Sequence, residues 1–127
     1  MTRDDLLSRY ADGERNFTDA NLAGANLTGA NLSYADLSGA DLSDAILCGA
    51  SLRWGDLTGA NLSYARLTNA RLTGANLFGA NLTGANLCGA SLRWGDLTGA
   101  NLSMADLSGA VLQLGNRRFT IAPCPEE

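Results

Sequence analysis

An apolar residue stands at every fifth position from Phe17 to Leu112, and it is leucine in every case but the first. Residues 15–114 thus divide into twenty consecutive five-residue units. Two positions before the apolar residue stands alanine in 17 of the twenty, the exceptions being Arg15, Gly55 and Gly95. The position just before it is mostly Asn or Asp, the one after it mostly Ser or Thr, and the fifth mostly Gly. A period of five matches neither regular element. On an α-helix, residues five apart spread around the circumference and form no stripe. On a flat strand, alternate leucines point to opposite sides. The pattern predicts instead a backbone that turns through about a right angle in each unit, with one Leu and one Ala directed inward. Gly, Asn and Asp suit the corners because they tolerate positive φ.

Ala25-Asn26-Leu27-Thr28-Gly29 and Ala35-Asp36-Leu37-Ser38-Gly39 show the unit in full. It resembles the A(D/N)LXX motif of the pentapeptide repeat family, and the resemblance covers about four fifths of the chain. Arg9-Tyr10-Ala11-Asp12-Gly13-Glu14-Arg15-Asn16-Phe17 further resembles the opening segment of cyanobacterial members. The resemblance implies an all-β fold, a right-handed quadrilateral parallel β-helix with four units per coil and about five coils. Residues 1–14 are then an N-terminal cap, 15–114 the β-helix and 115–127 a C-terminal cap or tail.

With four units per coil, residues twenty apart share a face. Each face is named here by its first inward residue. The outward column beside the Phe17 face reads Asn16, Asp36, Asp56, Asn76, Asp96, and beside the Leu22 face Asn21, Asp41, Asn61, Asn81, Asn101. Beside the Leu27 face it reads Asn26, Ile46, Arg66, Asn86, Asp106, and beside the Leu32 face Asn31, Ser51, Arg71, Ser91, Val111. The stacked Asn side chains are expected to form hydrogen-bonded ladders along the outside. Corners after the Phe17 and Leu27 faces carry only Gly, Asp or Asn, whereas the other two admit Tyr34, Trp54, Tyr64, Trp94 and Met104. Type II turns are expected at the first pair and a turn without positive φ at the second.

The ends of such a coil are open β edges, which invite aggregation unless covered. Thr2 followed by Asp5 has the form of a capping box. It opens a short helical stripe of Leu6, Leu7, Tyr10 and Ala11, which Gly13 ends. At the other end Phe119 and Ile121 are expected over the last coil, with Pro123 and Pro125 stopping further strand pairing. Two caps favour a monomer.

Composition narrows the function. The longest apolar stretch, Ala45 to Ala50, is far short of the ~20 residues of a membrane span. The opening Met1-Thr2-Arg3-Asp4-Asp5 has the form of neither a secretory signal nor a transit peptide, so the expected location is the cytoplasm. There is no histidine and every basic residue is arginine, which removes an imidazole base, a His-based metal site and a catalytic lysine. The Ser/Thr column has no base beside it. An enzyme is not expected, nor a cofactor, a metal or a membrane. A net charge of −4 argues against direct nucleic-acid binding. Cys48 and Cys88 are two coils apart, beyond disulfide reach, and with Cys124 are expected to be reduced thiols.

The remaining function is a rigid scaffold or a protein-interaction module. Arg53 and Arg93 stand roughly 9.6 Å apart in one column of the Leu32 face. Arg71 lies between them, Trp54 and Trp94 hold the adjoining corner, Tyr34 lies below, and Arg66 is on the next face. Arg and Trp dominate interface hot spots, which makes Tyr34, Arg53, Trp54, Arg71, Arg93 and Trp94 a candidate partner-binding surface. The plainer reading is that each tryptophan covers the coil edge with an arginine stacked on it, Gly55 and Gly95 easing the fit. Residues 47–63 and 87–103 are identical, so the Arg-Trp pair counts as one observation rather than two. The alternative surface is acidic: Asp36, Asp56 and Asp96, with Asp19, Asp41 and Asp44 nearby. Some members of the family resemble B-DNA in shape and charge and bind DNA gyrase, a type II topoisomerase. A rod about 24 Å tall needs about 14 negative charges to match duplex DNA, well above this chain's net charge.

Overall fold

The computed structural model of the chain describes residues 1–114, 116–122 and 124, the side chains of Leu114 and Phe119 excepted. Isolated parallel β-bridges join Asn16 to Asp36, Asn21 to Asp41, Asn26 to Ile46 and Asn31 to Ser51, and continue at the same twenty-residue offset through Asn86 and Asp106. One circuit of the chain is therefore four units. At Ser91–Leu92 (β1) the bridges lengthen into a strand. It pairs in parallel with Val111–Leu114 (β2), and β2 pairs antiparallel with Arg117–Thr120 (β3).

The repeat forms because a unit that carries Asn or Asp before the leucine, with a coil on either side, satisfies all five of its backbone N–H groups. In the unit Ala40–Asp44, Ala40 donates to the Leu37 carbonyl across the preceding corner, and Asp41 donates to Ala20 on the preceding coil. Leu42 donates to Asn61 and Asp44 to Ser63 on the next coil. The remaining N–H, at Ser43, donates to the Asp41 side-chain oxygen at 3.0 Å. Leucine and alanine fill the interior, and no polar or charged side chain is buried among the described residues. An expected feature is absent here: the Asn oxygens do not link coil to coil. Each takes the N–H two residues onward in its own unit, because that donor has no backbone acceptor.

Every corner from Asp19 to Gly109 has positive φ, including Tyr34, Trp54, Tyr64, Trp94 and Met104; Leu114, at the last corner position, runs on in β2 instead. Trp54 stands at 59° and Trp94 at 63°. The expectation of a different turn at the two bulky corners is thus wrong. The ladder fixes the same backbone at all four corners, so residue size selects only what projects outward. Bulk is accommodated by laying the side chain over the next coil: the Trp54 ring covers Gly74, and the Tyr64 ring covers Gly84.

The first coil is covered by a helix, α1 (Arg3–Ala11). Thr2 Oγ1 accepts from the Asp5 N–H at 3.1 Å, and the Asp5 carboxylate accepts from the Thr2 N–H. Gly13 at φ 97° closes the helix, with Gly13 donating to Tyr10 and Glu14 to Arg9. Leu6 is fully buried, Leu7 and Tyr10 pack on the core, and Ala11 turns to solvent. The Tyr10 hydroxyl donates to the Ser33 carbonyl at 2.7 Å. The Arg15 guanidinium lies 3.5 Å from the Tyr10 ring centroid.

The other end is covered only in part. Gly109 donates to Ile121 and Ala122, Ile121 donates to Ala110, and β3 borders β2. Leu97, Leu102 and Leu107 remain half-buried. Ile121 is exposed rather than laid over the last coil. The Phe119 side chain, Pro123 and Pro125 lie outside the described residues. Cys88 and Cys124 form a disulfide with a Cα–Cα separation of 5.9 Å, which corrects the expectation of reduced thiols at both. The turn back from β2 through β3 brings the tail cysteine beside its partner. Cys48 is free.

Candidate partner-binding surface

Fourteen units carry Asn or Asp before the leucine. In all fourteen the side-chain oxygen accepts the N–H two residues on, at 2.9–3.3 Å. Six units carry another residue there: Ile46, Ser51, Arg66, Arg71, Ser91 and Val111. All six lie on the Leu27 and Leu32 faces. Ser51 does not substitute for the missing amide oxygen, because its hydroxyl bonds Ser33 on the preceding coil at 2.7 Å. Ser91 likewise bonds Thr73 at 3.2 Å. Among the described residues, the backbone N–H groups of Arg53, Thr73 and Arg93 have no acceptor.

Four of the nine arginines, Arg53, Arg66, Arg71 and Arg93, stand on the same two faces. Arg53, Arg66 and Arg71 are exposed, and none is in an ion pair among the described residues; the pair that forms is Arg9 with Glu14, at 4.0 Å. Arg93 is half-buried, and its Nε is shielded from water with no acceptor. A concavity of about 410 Å³ opens here, lined by Asn31, Ser33, Ser51, Arg53 and Arg71 above the Gly29 and Gly49 corners.

Tyr34, Trp54 and Trp94 project from the adjoining corner, 67%, 49% and 51% exposed. Trp54 covers a coil edge beside Gly74, yet no arginine stacks on either tryptophan among the described residues. The arginine that does stack is Arg15, on Tyr10 of α1, a contact that joins cap to first coil and that column reading missed. A methyl group added at Gly55 would come within 3.1 Å of the Leu52 carbonyl oxygen and 3.2 Å of the Ala35 carbonyl oxygen. The backbone after Trp54 is therefore tight, which explains glycine where alanine is the rule.

Most aspartates of the repeat occupy the opposite side, Asp106 on the Leu27 face being the exception. Asp36, Asp56 and Asp96 stand on the Phe17 face and Asp41 on the Leu22 face. The Ser38 hydroxyl and then the Ser38 N–H hold the Asp36 carboxyl below its ordinary pKa. Ser43 does the same for Asp41, Thr98 for Asp96 and Ser108 for Asp106. These carboxylates are thus ionised parts of the turn. No group of three metal-ligating side chains converges among the described residues. No helix among them is long and apolar enough to cross a membrane.

A family model for pentapeptide repeats matches the chain in eight copies, over residues 16–53, 35–74, 56–93 and 75–113. A solved pentapeptide repeat protein from the cyanobacterium Cyanothece 51142 is 44% identical, with a TM-score of 0.67 over 68% of this chain. This chain spans only 58% of that protein's length. A pentapeptide repeat protein from the Arabidopsis thaliana thylakoid lumen is 29% identical, with a TM-score of 0.63, covering 84% of this chain and 73% of its own. One from Nostoc PCC 7120 is 36% identical, with a TM-score of 0.51, covering 99% of this chain and 88% of its own. No curated protein matches the sequence. The likeness implies a right-handed β-helix solenoid.

Proposed function

The chain belongs to the pentapeptide repeat family, and on that premise we propose that it is a non-enzymatic protein-interaction module. In this reading residues 15–114 are a rigid quadrilateral rod of about five coils. Residues 1–14 and 115–127 cap it and keep it monomeric. The side bearing Tyr34, Arg53, Trp54, Arg71, Arg93 and Trp94 engages the partner. The observation that carries this reading is the concentration of unpaired arginines, unpaired backbone donors and half-exposed tryptophans on one side of the rod. Its test is affinity capture from lysate of the source organism, with fold-checked variants. A specific protein captured by wild type and lost with Trp54→Ala/Trp94→Ala supports the module. Equal capture by both contradicts it.

A second reading is favoured by the ionised aspartates on two adjacent faces: an acidic mimic of DNA that binds a type II topoisomerase. It predicts capture of a gyrase subunit that disappears with Asp36→Asn/Asp56→Asn/Asp96→Asn. For location, the Cys88–Cys124 pair favours an oxidising compartment over the expected cytoplasm. Thiol trapping in freshly lysed source cells decides between them.

A further inference from the structure

We infer that the concavity on the Leu32 face binds the carboxylates of a short acidic protein segment, an inference that rests on the interaction-module reading and names the partner's chemistry. In the repeat, the N–H two residues after the Asn or Asp position points outward to that side chain's oxygen. The same backbone recurs at Arg53 and Thr73, because Ser51 and Arg71 sit in the same bridge column as Asn31. Their N–H groups therefore face the place that an oxygen fills elsewhere, and here that place is empty of protein acceptors. Arg53 and Arg71 line the adjoining hollow with no carboxylate of their own. Two guanidinium forks beside outward backbone donors suit an external carboxylate, and charge-assisted bonds of this kind are roughly twice as strong as neutral ones. An unfilled donor position is also the feature that an internal Asn or Asp removes in fourteen of the twenty units.

The occupant is a protein segment rather than a polyphosphate strand. The chain has a net charge of −4, and the aspartates of the other two faces repel a polyanion that runs beyond the hollow. A segment with one or two carboxylates meets only the arginine side.

The test is an amide NMR titration of the intact chain with hexaglutamate at low ionic strength. The Arg53 and Thr73 amides are expected to move, and the Asn- or Asp-bonded amides of Ser38 and Thr58 to stay. Ser51→Asn/Arg71→Asn restores the repeat motif, so it keeps the fold while supplying internal acceptors. It is expected to weaken binding at least about tenfold, the loss of one or two charge-assisted bonds, and Arg53→Gln to weaken it as well. Unmoved Arg53 and Thr73 amides, or undiminished binding by the double variant, overturn the inference. So does a response to inorganic phosphate with none to hexaglutamate. Those failures leave the module reading standing if capture still depends on Trp54 and Trp94. A positive titration without that dependence supports the site and removes the broader reading alone.

Discussion

At the scale of the residue, the unit is explained by one donor. Four of its five N–H groups find backbone carbonyls, and the fifth needs the Asn or Asp side chain. Asn81→Ala leaves the Thr83 N–H without its acceptor and is expected to cost about 1 kcal/mol, while Asn81→Asp costs less. Urea unfolding measures both. For Asp36 and Asp41 the folded carboxyl is the stronger acid, held so by the hydroxyls and N–H groups of Ser38 and Ser43. Their contribution is therefore fully present above the ordinary carboxylate pKa and is lost as pH falls through the lower folded value. Thermal melts are expected to decline below about pH 4 in the wild type and to decline less in Asp36→Asn/Asp41→Asn. The inward leucine and alanine were legible from spacing alone, because nothing else in the unit is apolar. The role of Asn and Asp was not. Side-chain stacking between coils and bonding within a unit demand the same residue type, and only the geometry separates them.

At the scale of the element, the corners show where composition misleads. Gly, Asp and Asn at two corners imply positive φ there, but bulky residues at the others do not imply its absence. A left-handed Trp54 costs of order 1–3 kcal/mol, and laying its ring over Gly74 offsets part of that. Gly74→Ala puts a methyl group into that ring and into a position at φ 69°. It is expected to destabilise by about 1–3 kcal/mol and to red-shift the tryptophan emission as the ring is displaced. The helix α1 was legible because its signals are local: Thr2, Asp5 and Gly13 lie within one short segment. Its anchoring by Tyr10 to Ser33 and by Arg15 over Tyr10 depends on which coil corner lies beneath, which local sequence does not encode. Leu6→Ala is expected to cost about 2–4 kcal/mol and to expose the first coil edge, read as lowered melting temperature with self-association in sedimentation.

At the scale of the whole molecule, the rod has two chemically different sides. Complete Asn/Asp columns and every aspartate before a leucine but Asp106 mark the Phe17 and Leu22 faces, while Arg53, Arg66, Arg71, Arg93 and the missing acceptors mark the other two. The columns made the charge division legible. They hid the missing acceptors, because that inference requires knowing what Asn and Asp do. The tail pairing escaped spacing arguments too, since β3 reverses the chain to bring Cys124 to Cys88. Unreduced denatured protein is expected to show one reactive thiol, Cys48, and three after reduction, with reduction costing about 2–4 kcal/mol. The proposed binding side is tested most directly by amide hydrogen exchange on the free protein. After correction for intrinsic rates, the Arg53, Thr73 and Arg93 amides are predicted to exchange about tenfold or more faster than the Ser33, Thr58 and Thr83 amides. Equal protection at the two sets would mean that the acceptors are present after all, and would contradict the account.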